Sequence, residues 1–192
     1  MKLFEEMPYL EDDCIILKEM TQTDAPALEK IASSRAVYTY LPTFLYEQKY
    51  QDKKLAIDRI KQECFLTKES ILLGIFLKED PTQMIGIAEI YAYDEQKNKA
   101  SIGARLHEDY WYKGIAARVV TLLKDYLDKE IGIRTITTHI MSHNHASERV
   151  VEKLGFEKKF PGLWDDWGKE GPVLTDKYVY KKYDHPKNGE TV

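Results

Sequence analysis

Ala100–Leu123 reads ASIGARLHEDYWYKGIAARVVTLL, and the rest of the chain is arranged around it. Lys99–Leu106 is short and apolar-rich, the pattern of a buried strand. His107–Lys113 is polar and aromatic, and Gly114 opens a helix in which Ile115, Val119, Leu122 and Leu123 share a face. The first amides of a helix lack partners, and the dipole is positive there. Tyr112, Lys113, Gly114, Ile115, Ala116 and Ala117 can therefore turn N–H groups toward an anionic phosphate. Gly114 and the small pair Ala116 and Ala117 keep side chains out of that approach. The spacing is Gly-x-Ala. It has neither the lysine–hydroxyl pair of a Walker loop nor the third glycine of a dinucleotide fingerprint. A plain structural turn fits the same residues, so the stretch alone leaves both readings open.

Upstream, Cys14–Lys18 (CIILK) reads as a strand. Thr21, Thr23 or Asp24 can cap a helix with Pro26 in its first turn, followed by Leu28 and Ile31. Tyr38–Tyr50 (YTYLPTFLYEQKY) is an aromatic connection broken by Pro42, either loop packing or one wall of a substrate cleft. A second helix runs from Asp52 to Leu66, with Leu55, Ile57, Ile60, Cys64 and Phe65 inward. The period then changes to two. Ser70–Lys78, Gln83–Tyr93 and Lys99–Leu106 are strands joined by the turn Glu79–Thr82 and the polar loop Asp94–Asn98, an antiparallel meander.

Downstream of the glycine turn, the helix runs to Lys129 and stops at Gly132, and Arg134–Ile140 alternates as a strand. A crossover helix between Lys99–Leu106 and Arg134–Ile140 makes them parallel neighbours. Asn144–Leu154 is a helix stopped by Gly155, with Val150, Val151 and Leu154 inward. Strands Phe156–Phe160 and Thr175–Tyr183 follow, joined by the loop PGLWDDWGKEGP. The order βααβββαβαββ is an α/β (α+β) domain with a mixed, mostly antiparallel central sheet, expected as a single domain over residues 1–192 with its core at about 14–183.

The chain has 192 residues, 43% hydrophobic and 31% charged, an ordinary balance for a globular domain. Its net charge is −4 and its basic residues are scattered, which argues against a nucleic-acid partner. No signal peptide and no long apolar run is visible, and Cys14 and Cys64 form no metal pair, so a reduced cytoplasmic setting with no membrane association is expected. His139, His143 and His145 lack a completing carboxylate or cysteine, and no metal is expected.

The run YWYKGIAARVV (Tyr110–Val120) and, further on, NHASERVVEKLGFEKK (Asn144–Lys159) resemble the GCN5-related N-acetyltransferases, and in particular the ribosomal-protein-alanine acetyltransferase type. The resemblance implies acetyl-CoA as co-substrate. Its pyrophosphate would rest on the amides from Tyr112 to Ala117, its pantetheine arm would lie along the end of Lys99–Leu106, Asn144 would bond that arm, and Ser147 would stand near the sulfur. The family's turn is written Arg/Gln-x-x-Gly-x-Gly/Ala. Here Trp111 takes its first position, as in the ribosomal-protein subgroup, and Tyr112 stands where glycine is frequent.

Acyl transfer from a thioester to an amine needs a neutral amine, a stabilised oxyanion and a protonated leaving thiolate. Backbone amides near Leu106 and His107 can serve the oxyanion. Ser147 can donate to the thiolate or simply cap its helix, and Asn144 can act as an N-cap as well as a ligand. The glutamate that many family members carry early in the strand is replaced by Ala100 and Ser101, which leaves Glu89 on the adjacent strand as the candidate base, with a water relay as the alternative. Trp164 and Asp165 in the late loop, with Tyr38 and Tyr40 from the aromatic connection, are candidates for holding an amine acceptor. The expected activity is acetyl transfer to a protein N-terminus or a small-molecule amine. The alternatives are a non-catalytic acyl-CoA sensor and a nucleotide-binding module. A monomer, or a homodimer through the edge of the last strands, is expected.

Overall fold

The computed structural model describes residues 3–182, so the Tyr183 end of the expected last strand lies outside the described residues. An 8-stranded sheet runs β1 (Leu10–Glu11), β2 (Ile15–Lys18), β3 (Ser70–Leu77), β4 (Asp80–Asp94), β5 (Lys99–Leu106), β6 (Thr135–Met141), β8 (Val173–Lys181) and β7 (Glu157–Asp165). Every neighbouring pair is antiparallel except β5 with β6. No helix among the described residues is long and apolar enough to cross a membrane.

Helices cover both faces. On one lie α1 (Ala25–Ser33) and α4 (Lys53–Arg59), over Ile16, Leu72, Phe76 and Ile87. Pro26 stands in the first turn of α1, and the Asp24 carboxylate accepts the Thr21 N–H at 2.7 Å. On the other lie α5 (Ile115–Asp125) and α6 (His145–Lys153), over Leu17, Leu73, Ile85, Ile102 and Ile136. The alternation of strand side chains sends each residue set to its own layer.

Several boundaries differ from the sequence reading for local reasons. The helix expected over 52–66 relaxes after Arg59 into a wider π-turn, Ile60–Phe65, and Leu55 faces outward, 42% exposed. A second π-turn, Tyr126–Ile131, ends the helix after Gly114, and Gly132 closes it at φ +83°. The aromatic connection contains two short helices, α2 (Arg35–Tyr38) and α3 (Tyr46–Lys49). The expected loop after Phe160 is strand as far as Asp165, with register shifts in its pairing to β8.

The parallel pairing of β5 and β6 is brief, joining Lys99, Ala100 and Ser101 to Thr135, Ile136 and Thr137. Beyond Ser101 the two strands separate. The β4–β5 ladder continues past that point through Gly86↔Leu106, and the His107 N–H donates to the Ile85 carbonyl at 3.0 Å. Antiparallel bonding alternates along a strand, so the odd residues of β5 bond β4 and the even ones, Ala104 and Leu106, turn their peptide groups into the gap.

Gly86 sits where this ladder is tightest. A Cβ there would lie 2.5 Å from the Arg105 carbonyl oxygen, whereas one at Gly103 would make an ordinary 3.7 Å contact with the Tyr91 ring. Gly86→Ala is expected to cost about 1–3 kcal/mol in urea unfolding. Gly103→Ala should cost clearly less; equal losses would show that the close approach does not govern the site.

Candidate active site

The glycine turn has the form required for anion binding. Tyr112 and Gly114 both take left-handed conformations, at φ +59° and +78°, which bend the chain so that successive amides point the same way. Ile115, Ala116 and Ala117 form the first turn of α5, where amides have no intrahelical acceptor. A Cβ at Gly114 would meet nothing within 4 Å, so the approach is open. Lys113 beside it is exposed, with its ammonium over the Tyr110 ring at 5.2 Å. Tyr112 is 90% exposed and carries its side chain through a backbone region that glycine occupies without strain. These residues fit a phosphate, and nothing in the turn blocks one.

Two of the expected contact residues bond within the chain. The His107 amide is engaged by Ile85, and its ring accepts the Asp109 N–H at 3.3 Å, so its amide is not free for a ligand. The Trp111 indole N–H donates to the Leu106 carbonyl at 2.8 Å, fixing the end of β5 at the mouth of the gap rather than facing a phosphate. Leu106 keeps its amide directed into the gap by the alternation described above.

α6 supplies the other side. Asn144 is its N-cap, its Oδ1 accepting the Ser147 N–H at 3.2 Å, which leaves the Asn144 amide nitrogen for a ligand. The Ser147 hydroxyl is part-exposed and has no hydrogen-bond partner among the described residues. The structural and the ligand-binding roles of Asn144 are therefore compatible.

On the opposite sheet face, Arg105 is buried between two carboxylates. Its Nη2 donates to Glu47 at 2.7 Å and its Nη1 to Glu89 at 2.9 Å. Its Nε also lies against Glu47 Oε1, as an ion pair without hydrogen-bond alignment. Glu47 is fully buried and accepts the Tyr38 hydroxyl at 2.5 Å. Burial disfavours ionised Glu47, but the guanidinium outweighs it and holds the carboxyl below its ordinary value. Glu89 goes the other way. Burial pushes it up, the Glu47 charge adds to this, and Arg105 only partly compensates. The Glu89 side chain is still 14% exposed, and the guanidinium bonds one of its two oxygens. A carboxyl raised toward neutrality with a free, accessible oxygen suits proton transfer.

The acceptor candidates divide. Tyr38 has its hydroxyl engaged by Glu47, so it serves the wall, and burial with the Glu47 charge pushes its phenol up. Tyr40 and Trp164 are exposed. Asp165 accepts the Thr175 hydroxyl. Sequence reasoning missed the clasp that brings these segments together. The Thr43 N–H donates to the Trp167 carbonyl at 2.9 Å, Thr43 Oγ1 donates to the Gly168 carbonyl at 2.9 Å, and Lys169 donates to the Tyr38 carbonyl at 3.0 Å. Trp167 is buried in this contact. A groove of about 350 Å³ between α1 and the start of β4 is separate, lined by Asp24, Lys30, Met84, His107 and Tyr110 among others. Among the described residues, metal-type ligands converge only at Asp12, Asp13 and Cys14, where both carboxylates already bind Arg118.

Residues 15–157 match the family described as Acetyltransferase (GNAT) domain. The chain is 26% identical over 152 residues to the uncharacterized N-acetyltransferase YoaA of Bacillus subtilis (strain 168), covering 79% of this chain and 84% of that one. A ribosomal-protein-S5-alanine acetyltransferase from Vibrio fischeri superposes with a TM-score of 0.76 at 16% identity, covering 92% of this chain and 98% of that one. A spermidine N-acetyltransferase from Vibrio cholerae, solved with CoA and spermine, gives 0.73 at 13% identity, over 88% and 96%.

Removing the guanidinium strands two buried carboxylates. Arg105→Met is expected to lose about 3–5 kcal/mol at pH 7. In the native protein the Glu47 contribution is present above about pH 4.5 and is lost as pH falls, because its folded value is depressed. Without Arg105, burial is opposed only by the Tyr38 and backbone hydrogen bonds and raises Glu47, so the variant should regain stability on acidification from pH 7 to 5. Urea unfolding at both pH values tests this; a variant that only weakens with acid would show that Glu47 does not depend on Arg105.

Proposed function

The chain belongs to the GNAT acetyltransferase family, and on that premise we propose that it moves the acetyl group of acetyl-CoA to a primary amine, on a protein N-terminus or a small molecule, by direct attack on the thioester. The observation that carries this reading is the gap between β5 and β6. It is flanked by the open Gly114 turn and by Asn144 with Ser147, and Glu89 stands on the sheet beside it.

Acetyl-CoA supplies an activated acyl group held by a thioester, and the chain's residues do the rest. The amides of the turn and of the first helical residues hold the phosphates. The Ala104 and Leu106 amides, directed into the gap, bond the extended arm and meet the charge that develops on the carbonyl oxygen. The Asn144 amide nitrogen donates to the arm. Glu89, opposite Gly103 in the β4–β5 register, takes the proton released as the amine nitrogen forms its bond to carbon. The carbon–sulfur bond breaks and Ser147 gives its proton to the departing thiolate, leaving an N-acetyl product and free CoA. Glu89 thus supplies a carboxylate that β5 lacks at Ala100 and Ser101, which favours an enzyme over a sensor.

The similar structures are named for acetylation of a ribosomal-protein alanine and of spermidine. Both offer primary amines, and the wall closed by the Thr43–Trp167 clasp is the part of this chain that would distinguish them.

Ser147→Ala should lower kcat by about 10²-fold with acetyl-CoA affinity retained, read as free-thiol release over a panel of amines. Glu89 works deprotonated, so kcat/KM should rise with pH through a value above its ordinary 4.5. Glu89→Gln should lose that limb along with most of the rate. A profile unchanged by Glu89→Gln would assign proton removal to water.

A further inference from the structure

The sheet face that carries Glu89 and Arg105 continues across β5, β6 and β8, and there its charge reverses. Ser101 Oγ and Thr137 Oγ1 share a hydrogen bond at 2.7 Å, which places Lys99, Ser101, Gly103 and Arg105 on the same face as Thr137 and His139. In the β6–β8 register His139 stands opposite Lys177, so Lys177 joins that face. Lys99 and Lys177 bring their ammonium groups together there. Neither has a carboxylate at ion-pair distance among the described residues, although Asp94, opposite Lys99 in the β4–β5 register, acts on it from further off, and Lys177 rests over the Phe160 ring at 5.9 Å. Between them and the gap, His139 Nε2 is buried with no hydrogen-bond partner. Asp165 faces His139 from β7, but its carboxylate already accepts the Thr175 hydroxyl.

Two ammonium groups side by side repel each other, and a buried ring nitrogen without a partner is costly. Both costs are removed by one thing, an anion with oxygen acceptors. Burial, then the Lys177 charge, already depress Lys99, and the same two causes depress His139 against the opposing Asp165 charge; in its neutral Nε2–H form the ring donates without adding charge.

We propose that Lys99, Lys177 and His139 form an anion subsite in the acceptor groove, so that the amine accepted by this enzyme carries its own carboxylate or phosphate. The inference rests on the acetyl-transfer reading for its biological use, though not for its geometry. Lys99 starts β5 and Gly103, level with Glu89, lies further along it, about 13 Å away at roughly 3.3 Å per residue. The long lysine stem covers much of that span, so a compact acceptor can reach the subsite and the reacting centre together. A polyamine would instead place a second cation against two ammonium groups.

The test has a turnover arm and a binding arm. Thiol release is measured with glycine against glycinamide and with phosphoethanolamine against ethanolamine, spermidine being run in parallel, on the wild type, Lys99→Gln and Lys177→Gln. The ratio of kcat/KM within each pair cancels any general loss of turnover. The anionic member should be preferred by the wild type, and each substitution should lower that preference about tenfold. In the binding arm, inorganic phosphate is titrated into the CoA-saturated protein while the ¹⁵N signals of the His139 ring are followed. A shift in the wild type that is absent from the double variant supports the subsite. Ratios unchanged by both substitutions, spermidine as the best acceptor, or a His139 ring indifferent to phosphate would each overturn it. A phosphate response without thiol release from any amine would overturn the acetyl-transfer reading and leave the anion subsite standing.

Discussion

Arg105 places a full charge inside the sheet face, 3% exposed, and the surrounding structure is built to meet it. An isolated guanidinium there would cost several kcal/mol in lost hydration, so the fold has to bring carboxylates to it. One comes from the adjacent strand at Glu89. The other, Glu47, comes from α3, one of the two short helices in the aromatic connection. That demand fixes the connection over the sheet and so fixes one wall of the groove. The Tyr38 hydroxyl completes the set, and the Thr43–Trp167 and Lys169–Tyr38 bonds tie the same wall to the β7–β8 hairpin.

The second constraint is in the backbone. Parallel pairing stops after Ser101 because β5 stays bound to β4 as far as Leu106 while β6 follows β8. The peptide groups left facing the gap cannot remain unbonded when water is excluded, so the gap calls for an extended ligand. The indole of Trp111 holds the Leu106 carbonyl at the mouth of the opening. Tyr112 adjoins it in a left-handed conformation, local strain of the kind found where a turn must aim its amides.

The elements that frame the candidate site were legible before the fold. The glycine ahead of an apolar helix face marked the turn, and the helix beginning at Asn144 placed Ser147 one turn in, because both signals are local in sequence. The bond from the His107 amide to Ile85 was not legible, because which amides a strand leaves free depends on the register with its neighbour, and no residue pattern along β5 encodes that register. Leu55 was read as inward, yet it lies two residues from Ile57, about 200° around the helix, so the face that buries Ala56 and Ile57 leaves it outside. The far end of β7, Pro161–Asp165, read as loop because Pro161 and Gly162 interrupt the alternation, and bulges absorb them within the strand.

By itself the sequence determined the order of elements, the parallel crossover around the glycine turn, and the caps and small residues that open its helices. Each of these follows from short-range periodicity and capping chemistry, which neighbours along the chain set. Only the tertiary structure decided that Arg105 binds Glu47, distant in sequence, that Glu89 is pushed toward neutrality, and that Lys99 and Lys177 meet without an acid between them. Charges interact through space across whichever strands the sheet sets side by side, and that order is fixed by packing rather than by the spacing of residues in any one segment.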